Sequence, residues 1–196
     1  MLRRILSSDG TVLKDVRLRG LREAPYAFSE TLAEVEHDPD GEWIERALEM
    51  SAEDGDSIAF LAFGEDPTRA VGMAGGYLHR EHDDEARVWG VWVDPSTRGR
   101  GMGRELVEAV IVWATSKGRT RLTLCVTETS LSARSLYREL GFEEVGCPSP
   151  SRHLEGVSEL SMARWLVVID PERAQASWPK ACSNTSLGCA PSTSSR

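Results

Sequence analysis

Three arginines and three glycines occupy almost every position from 98 to 104. They are Arg98, Gly99, Arg100, Gly101, Gly103 and Arg104, interrupted only by Met102. Glycine lets a backbone turn tightly and lets a ligand approach it. The first amides of a following helix lack internal partners and carry the positive end of the helix dipole. The segment therefore predicts a loop that binds an anion, with a phosphate or pyrophosphate as its natural guest.

Two common phosphate motifs do not fit this loop. A nucleoside-triphosphate loop needs Lys and then Ser or Thr after its last glycine, but Arg104 and Glu105 follow Gly103. A dinucleotide fingerprint that began at Gly99 would need a sixth-position glycine, where Arg104 stands. A cradle for another phosphate ligand and a glycine-rich turn without a ligand both remain.

The flanking segments predict the elements that position the loop. Residues 86–93 are β-rich and end in a Val-Asp-Pro turn, and Gly90 within them fits a bulge or a close backbone approach. Apolar residues at helical spacing follow the loop and predict an amphipathic helix that ends near Lys117 and Gly118. A second alternating strand, 121–126, precedes a further helical pattern at 130–142.

Two motifs in these segments resemble those of the GCN5-related N-acetyltransferase (GNAT) family. The first is Arg98-x-x-Gly101-x-Gly103, which resembles the family's acyl-CoA pyrophosphate loop. The second begins at Ser130, passes through Ala133, Leu136 and Tyr137, and closes in Leu140-Gly141-Phe142. The family usually has Asn at the position of Ser130. A serine there can cap the helix through its hydroxyl, but it lacks an amide's reach toward a cofactor.

The resemblance covers residues 1–166 and implies both a fold and a cosubstrate. The implied fold is an α/β (α+β) architecture, in which helices flank a mostly antiparallel mixed sheet that is splayed between its fourth and fifth strands. The implied cosubstrate is acetyl-CoA, with no metal. The residues that would contact it are Val91, Trp92, Val93, Arg98, Gly99, Arg100, Gly101, Met102, Gly103, Arg104, Ser130, Ala133 and Tyr137.

The implied reaction is attack by a neutral amine on the acetyl thioester. The resemblance assigns polarisation of the thioester carbonyl to backbone amides near Trp92 and Val93, and the role of acid to Tyr137. Spacing alone would make Tyr137 a core aromatic. The base is less defined: Glu85, His79, His82 and a water relay are the candidates, and histidine titrates near neutral pH.

The distribution of charged residues bears on the chemical class of the acceptor. Acidic residues cluster at 34–42 and again at 81–85. If these clusters border the acceptor pocket, they would attract a cationic small-molecule amine, such as a polyamine or an aminoglycoside. An ordinary solvated surface explains them equally well. A protein N-terminus or lysine is an alternative acceptor, and an acyl-CoA sensor without catalysis is an alternative of another class.

Composition sets the remaining expectations. The 196 residues suit one domain, and the net charge of −8 argues against a nucleic-acid partner. No apolar run is long enough for a membrane span or signal peptide, so a cytoplasmic protein is expected. The four cysteines lack metal-binding spacing. Homodimers are common in the family, although no feature here specifies one.

The chain order predicts a strand, two or three helices, three strands, a helix, a strand, a helix and two strands. The boundaries expected from the sequence are strand 3–6, helices 11–22, 28–36 and 42–50, strands 57–63 and 70–78, and a last strand at 158–164. Ser29 is expected near the N-cap of the second helix. The segment 167–196 is rich in Ser, Ala and Pro and is expected to be a disordered tail.

Overall fold

The computed structural model describes residues 1–28, 30–151 and 155–167. Its helices are α1 (Gly10–Glu23), α2 (Leu32–Val35), α3 (Asp40–Ser51), α4 (Met102–Ser116) and α5 (Leu131–Glu139). Its strands are β1 (Leu2–Arg4), β2 (Ser57–Phe63), β3 (Ala70–Leu78), β4 (Glu85–Val93), β5 (Arg121–Thr127), β6 (Glu143–Pro150) and β7 (Ser158–Trp165). Together they form the predicted mixed α/β fold.

One seven-stranded sheet runs in the order β1-β2-β3-β4-β5-β7-β6. Every neighbouring pair is antiparallel except β4 and β5, which are parallel. The β4–β5 register covers three residue pairs, from Glu85 with Arg121 to Arg87 with Thr123. Beyond Arg87 the two strands no longer pair along their described lengths, which confirms the predicted splay.

A bulge in β4 lies beside this opening. Met73 pairs with Trp92, but Gly75 pairs with Trp89, so β4 carries one residue more than β3 over the same span. Gly90 has a φ of +61°, a conformation that favours glycine. The extra residue confirms the predicted bulge and frees backbone groups of β4 from the ladder.

The sheet separates two hydrophobic layers. On one face, α4 and α5 pack on a core that includes Val107, Leu122 and Tyr137. On the other face, α1 and α3 pack on a core that includes Trp43 and Trp92. The glycine loop and α4 therefore lie on one side of β4, while α1 and the segment that follows it lie on the other.

The segment between α1 and α3 differs from its prediction. The helix expected at 28–36 is limited to α2, which Thr31 and Glu34 close with a capping box. Residues 25–27 form a single 3-10 turn, and Phe28 is extended and buried. Burial of the Phe28 ring against α1 outweighs a weak local helical preference. The predicted N-cap at Ser29 lies outside the described residues.

The first strand also ends earlier than expected. It stops at Arg4, because the Leu6 amide donates to the Asp9 carboxylate at 2.7 Å and the chain turns into α1. Most of the predicted tail, 168–196, lies outside the described residues. Within the described ranges, no helix has both the length and the apolar character that crossing a membrane requires.

Candidate active site

The glycine loop leads directly into the N-terminus of α4. Gly99 and Gly101 have φ values of +77° and +84°, and Gly101 is the N-cap of this 15-residue helix. No side chain caps the helix, and the first helical backbone bond runs from Glu105 to Gly101 at 3.1 Å. A Cβ at Gly99 or Gly101 would meet nothing within 4 Å. The loop is thus an open cradle of unpartnered amides, the arrangement that binds phosphate.

The three arginines of the loop have different surroundings. Arg98 donates from Nε to the Val93 carbonyl at 2.9 Å, so its side chain turns back toward β4. Arg104 is ion-paired with Glu139 of α5. Arg100 is exposed and pairs with no carboxylate of the described residues. Arg100 is therefore the loop arginine best placed to meet an anion from solvent.

Glu23, which the sequence analysis did not single out, links the glycine loop to β4 through hydrogen bonds. Its Oε2 accepts from Trp92 Nε1 at 2.9 Å and from Arg98 Nη2 at 2.5 Å. One carboxylate at the end of α1 therefore joins the bulged strand to the start of the loop. No local pattern could reveal this link, because its partners lie 69 and 75 positions away in sequence.

Tyr137 of α5 belongs to the core on the α4 side of the sheet. It is buried in the same core as Val91, Val93, Met102 and Ala133, and its ring meets Phe142 edge-on at a centroid distance of 5.9 Å. Its hydroxyl has no hydrogen-bond partner among the described residues. Burial raises the pKa of the Tyr137 phenol, so the phenol stays protonated at neutral pH.

Contacts at Gly103 bring the two motifs together. A Cβ there would lie 3.4 Å from Leu136, the neighbour of Tyr137, and 3.8 Å from Val93. The loop, the end of β4 and the second motif thus meet at one place. Trp92 points to the opposite face of the sheet, where it is buried.

Ser130 stands at the N-cap of α5 but does not cap it. Its hydroxyl is 2.7 Å from the Thr127 hydroxyl, and no side-chain cap bond forms. The predicted capping role is therefore wrong, because the Thr127 hydroxyl engages the serine instead.

Glu85 does not lie with these residues. It begins β4, eight residues before Val93, which separates the two by roughly 26 Å along an extended strand. Glu85 is buried, with its carboxylate 3.1 Å from Arg121 and accepting from Thr123 Oγ1 at 2.7 Å. These contacts join β4 to β5 where the strands pair. This location argues against Glu85 as the base.

We expect Glu85→Gln to lower the free energy of unfolding by about 2 kcal/mol, since it removes a buried charge from a hydrogen-bonded pair. Turnover per folded molecule should stay within about twofold. Chemical denaturation and steady-state kinetics would measure both, with the exposed neighbour Asp83→Asn as the control. A fully folded Glu85→Gln variant with severely reduced turnover would show that Glu85 acts in catalysis after all.

The two histidine candidates also lie at this far end of β4. His79 and His82 stack with ring centroids 4.7 Å apart in the turn between β3 and β4. Neither has a described contact with the loop or with α5. A water relay therefore stays the predicted route for the proton of the amine.

The acidic cluster at 34–42 is largely paired. Asp38 contacts Arg46 and Asp40 contacts Lys14, each at 2.7 Å, and Glu34 serves the capping box of α2. Such pairing cancels much of the attraction that this cluster could exert on a cation. In the described ranges, no group of three or more His, Cys, Asp or Glu side chains is arranged to hold a metal ion.

Comparison with known proteins relates this geometry to a family. The family model described as "Acetyltransferase (GNAT) family" matches residues 20–142. A mycothiol acetyltransferase of Rhodococcus jostii is 32% identical over 143 residues, which is 67% of this chain and 47% of that protein. A ribosomal protein bS18 alanine N-acetyltransferase of Salmonella typhimurium is 39% identical over 61 residues, which is 31% of this chain and 41% of that protein. This chain thus spans less than half the length of either relative.

The fold also resembles that of solved acetyltransferase structures. The crystal structure of a phosphinothricin acetyltransferase from Sinorhizobium meliloti in complex with AcCoA superposes with a TM-score of 0.69 at 19% identity. The superposition covers 85% of this chain and 88% of that one. The family match spans the loop, the bulged strand and the second motif. The chain belongs to the acetyltransferase (GNAT) family.

Proposed function

We propose that the protein is an acetyl-CoA-dependent N-acetyltransferase whose acceptor is the primary amine of a small molecule. The observation that carries the proposal is that an uncapped glycine cradle, the end of a bulged strand and the helix that bears a buried tyrosine meet at one place. The cradle fits a pyrophosphate because Gly99 and Gly101 leave open the space that side chains would fill.

When bound, acetyl-CoA supplies a thioester carbonyl that the acceptor nitrogen attacks, so that a C–N bond forms and the C–S bond breaks. The amides of the loop and of the first turn of α4 hold the pyrophosphate. Backbone groups of β4 near Trp92 and Val93 polarise the carbonyl. Tyr137 gives its phenolic proton to the departing sulfur, and the proton lost by the amine leaves through water.

The segment that follows α1 supports a small-molecule acceptor, because it covers the splay between β4 and β5. The turn at 25–27 contacts both β4 and β5, so this segment crosses the opening on the α1 side. Such a cover suits a compact acceptor better than a protein surface. The mycothiol acetyltransferase among the relatives is also named for a small molecule.

A protein or peptide N-terminus is the second candidate, which the match to the bS18 alanine N-acetyltransferase favours. A sensor that binds acyl-CoA without turnover is the third.

A thiol-release assay with acetyl-CoA and a panel of amines and peptide N-termini tests the proposal. We expect CoA release with at least one small primary amine and none above background with peptides. Release with peptides alone would favour the second candidate. Acetyl-CoA binding without release for any acceptor would favour the sensor.

A further inference from the structure

Arg17 of α1 is a buried cation beside the β4 bulge. The residue is 6% exposed, and its guanidinium lies 4.4 Å from the Phe28 ring centroid and 5.2 Å from that of Trp89. Burial lowers the pKa of Arg17, but arginine starts so far above neutrality that the group remains charged. The fold therefore maintains a permanent positive charge in an aromatic setting.

Two glycines make room for this arrangement. A Cβ at Gly75 would lie 2.0 Å from the Trp89 ring, so the ring can rest against β3 only because Gly75 has no side chain. A Cβ at Gly90 would lie 2.8 Å from Arg17 Nη1. The guanidinium thus occupies the space beside the bulge that any other residue at Gly90 would fill.

The hydrogen-bonding capacity of Arg17 is only partly used. Nη2 donates to Glu30 Oε2 at 2.8 Å, whereas Nη1 is buried and has no hydrogen-bond partner among the residues that the structure describes. A buried donor without a partner is costly, and more so when it is charged. Arginine is suited to hold a carboxylate with two parallel N–H···O bonds, yet Glu30 takes only one of them.

We propose that Arg17 binds a carboxylate carried by the acceptor amine, so that the acceptor is an α-amino acid or a similarly short carboxylate-bearing amine. This inference rests on the proposed function. Arg17 lies at the bulge, and in an α-amino acid one carbon separates the carboxylate from the amine. A carboxylate on the guanidinium therefore places the amine next to β4, where the reaction is proposed to occur.

Glu30 supports the choice of a carboxylate over a neutral group. Its own carboxylate already pairs with one nitrogen of the guanidinium, while its side chain remains 37% exposed. Because Nη1 is buried, an acceptor carboxylate would displace Glu30 in order to pair with the guanidinium. A polycationic acceptor would instead meet the positive charge of Arg17.

The test compares matched amines in the thiol-release assay: leucine with isoamylamine and lysine with cadaverine, each pair differing by one carboxylate. We expect kcat/KM to be at least tenfold higher for the amino acid of a pair. Turnover of amines without that preference overturns this inference alone.

Absence of turnover with every amine overturns the proposed function. The inference about Arg17 is then tested by binding, which a thermal-shift assay measures. Stabilisation by leucine but not by isoamylamine, with CoA present, supports the inference, and equal or absent stabilisation overturns it.

Variants of Arg17 and Glu30 test whether the preference for a carboxylate depends on this ion pair. Arg17→Gln should raise KM for the amino acid at least tenfold, with little change for the decarboxylated amine or acetyl-CoA. Arg3→Gln is the matched control, since Arg3 also pairs with a carboxylate and lies over an aromatic ring, far across the sheet. If Arg17→Gln does not fold, Glu30→Gln decides: it should lower KM for the amino acid severalfold because it removes a competing charge, and an unchanged KM overturns the inference.

Discussion

Tyr137→Phe should lower kcat by at least about 100-fold, the usual contribution of a positioned general acid. The substitution removes one oxygen and leaves the ring in place against Phe142. The affinity for acetyl-CoA should change little, because the pyrophosphate is held by the loop amides and not by the phenol. Pre-steady-state acetyl transfer and acetyl-CoA titration would separate the two effects.

Stability should scarcely respond to the same substitution. The Tyr137 hydroxyl has no partner among the described residues, so removing it breaks no described hydrogen bond. We expect the free energy of unfolding to change by less than about 1 kcal/mol. Loss of activity without loss of stability would therefore point to chemistry and not to folding.

The pH dependence provides a second readout. An acid must be protonated to act, and burial raises the pKa of Tyr137 above its ordinary value of about 10. The wild-type rate should therefore rise with pH as the amine loses its proton, without an alkaline decline below about pH 10. Tyr77→Phe, on β3, is the matched control. Equal rates for the wild type and Tyr137→Phe would rule out the phenol as the acid.

The sequence was sufficient for the elements with strong periodicity. The strands at 57–63 and 70–78 have the predicted bounds, because alternating or continuous apolar runs between turn residues permit little else. Gly90 marked the bulge correctly, since a glycine inside a strand usually signals a break in the ladder. The loop before α4 was predictable for the same local reason.

Contacts between distant segments could not be read in this way. Phe28 is extended because its ring packs beside Arg17, and that contact overrides the helical pattern at 28–36. Glu85 was a plausible base by residue type, but the parallel pairing of β4 with β5 places Arg121 against it. Glu23, Glu30 and Arg17 showed no signal at all, because their importance comes from partners far along the chain.

Replacing Gly99 and Gly101 together by alanine should weaken acetyl-CoA binding at least tenfold. Their φ values of +77° and +84° lie in the left-handed region, which costs other residues roughly 1–2 kcal/mol each. Relief of that strain would turn the amides away from the pyrophosphate. A tenfold loss of affinity corresponds to about 1.4 kcal/mol, which is within the strain available. Isothermal titration with acetyl-CoA measures the effect directly.

The chain offers a control with the same backbone strain elsewhere. Gly118 and Gly146 have φ values of +71° and +70°, and a Cβ at either would also meet nothing within 4 Å. Gly118→Ala with Gly146→Ala should therefore lower stability as much as the loop pair does, without weakening acetyl-CoA binding. Equal affinities for the two double variants would show that the loop backbone does not hold the pyrophosphate. A difference confined to the loop pair would assign the binding energy to the amides at the start of α4, because strain alone is common to both.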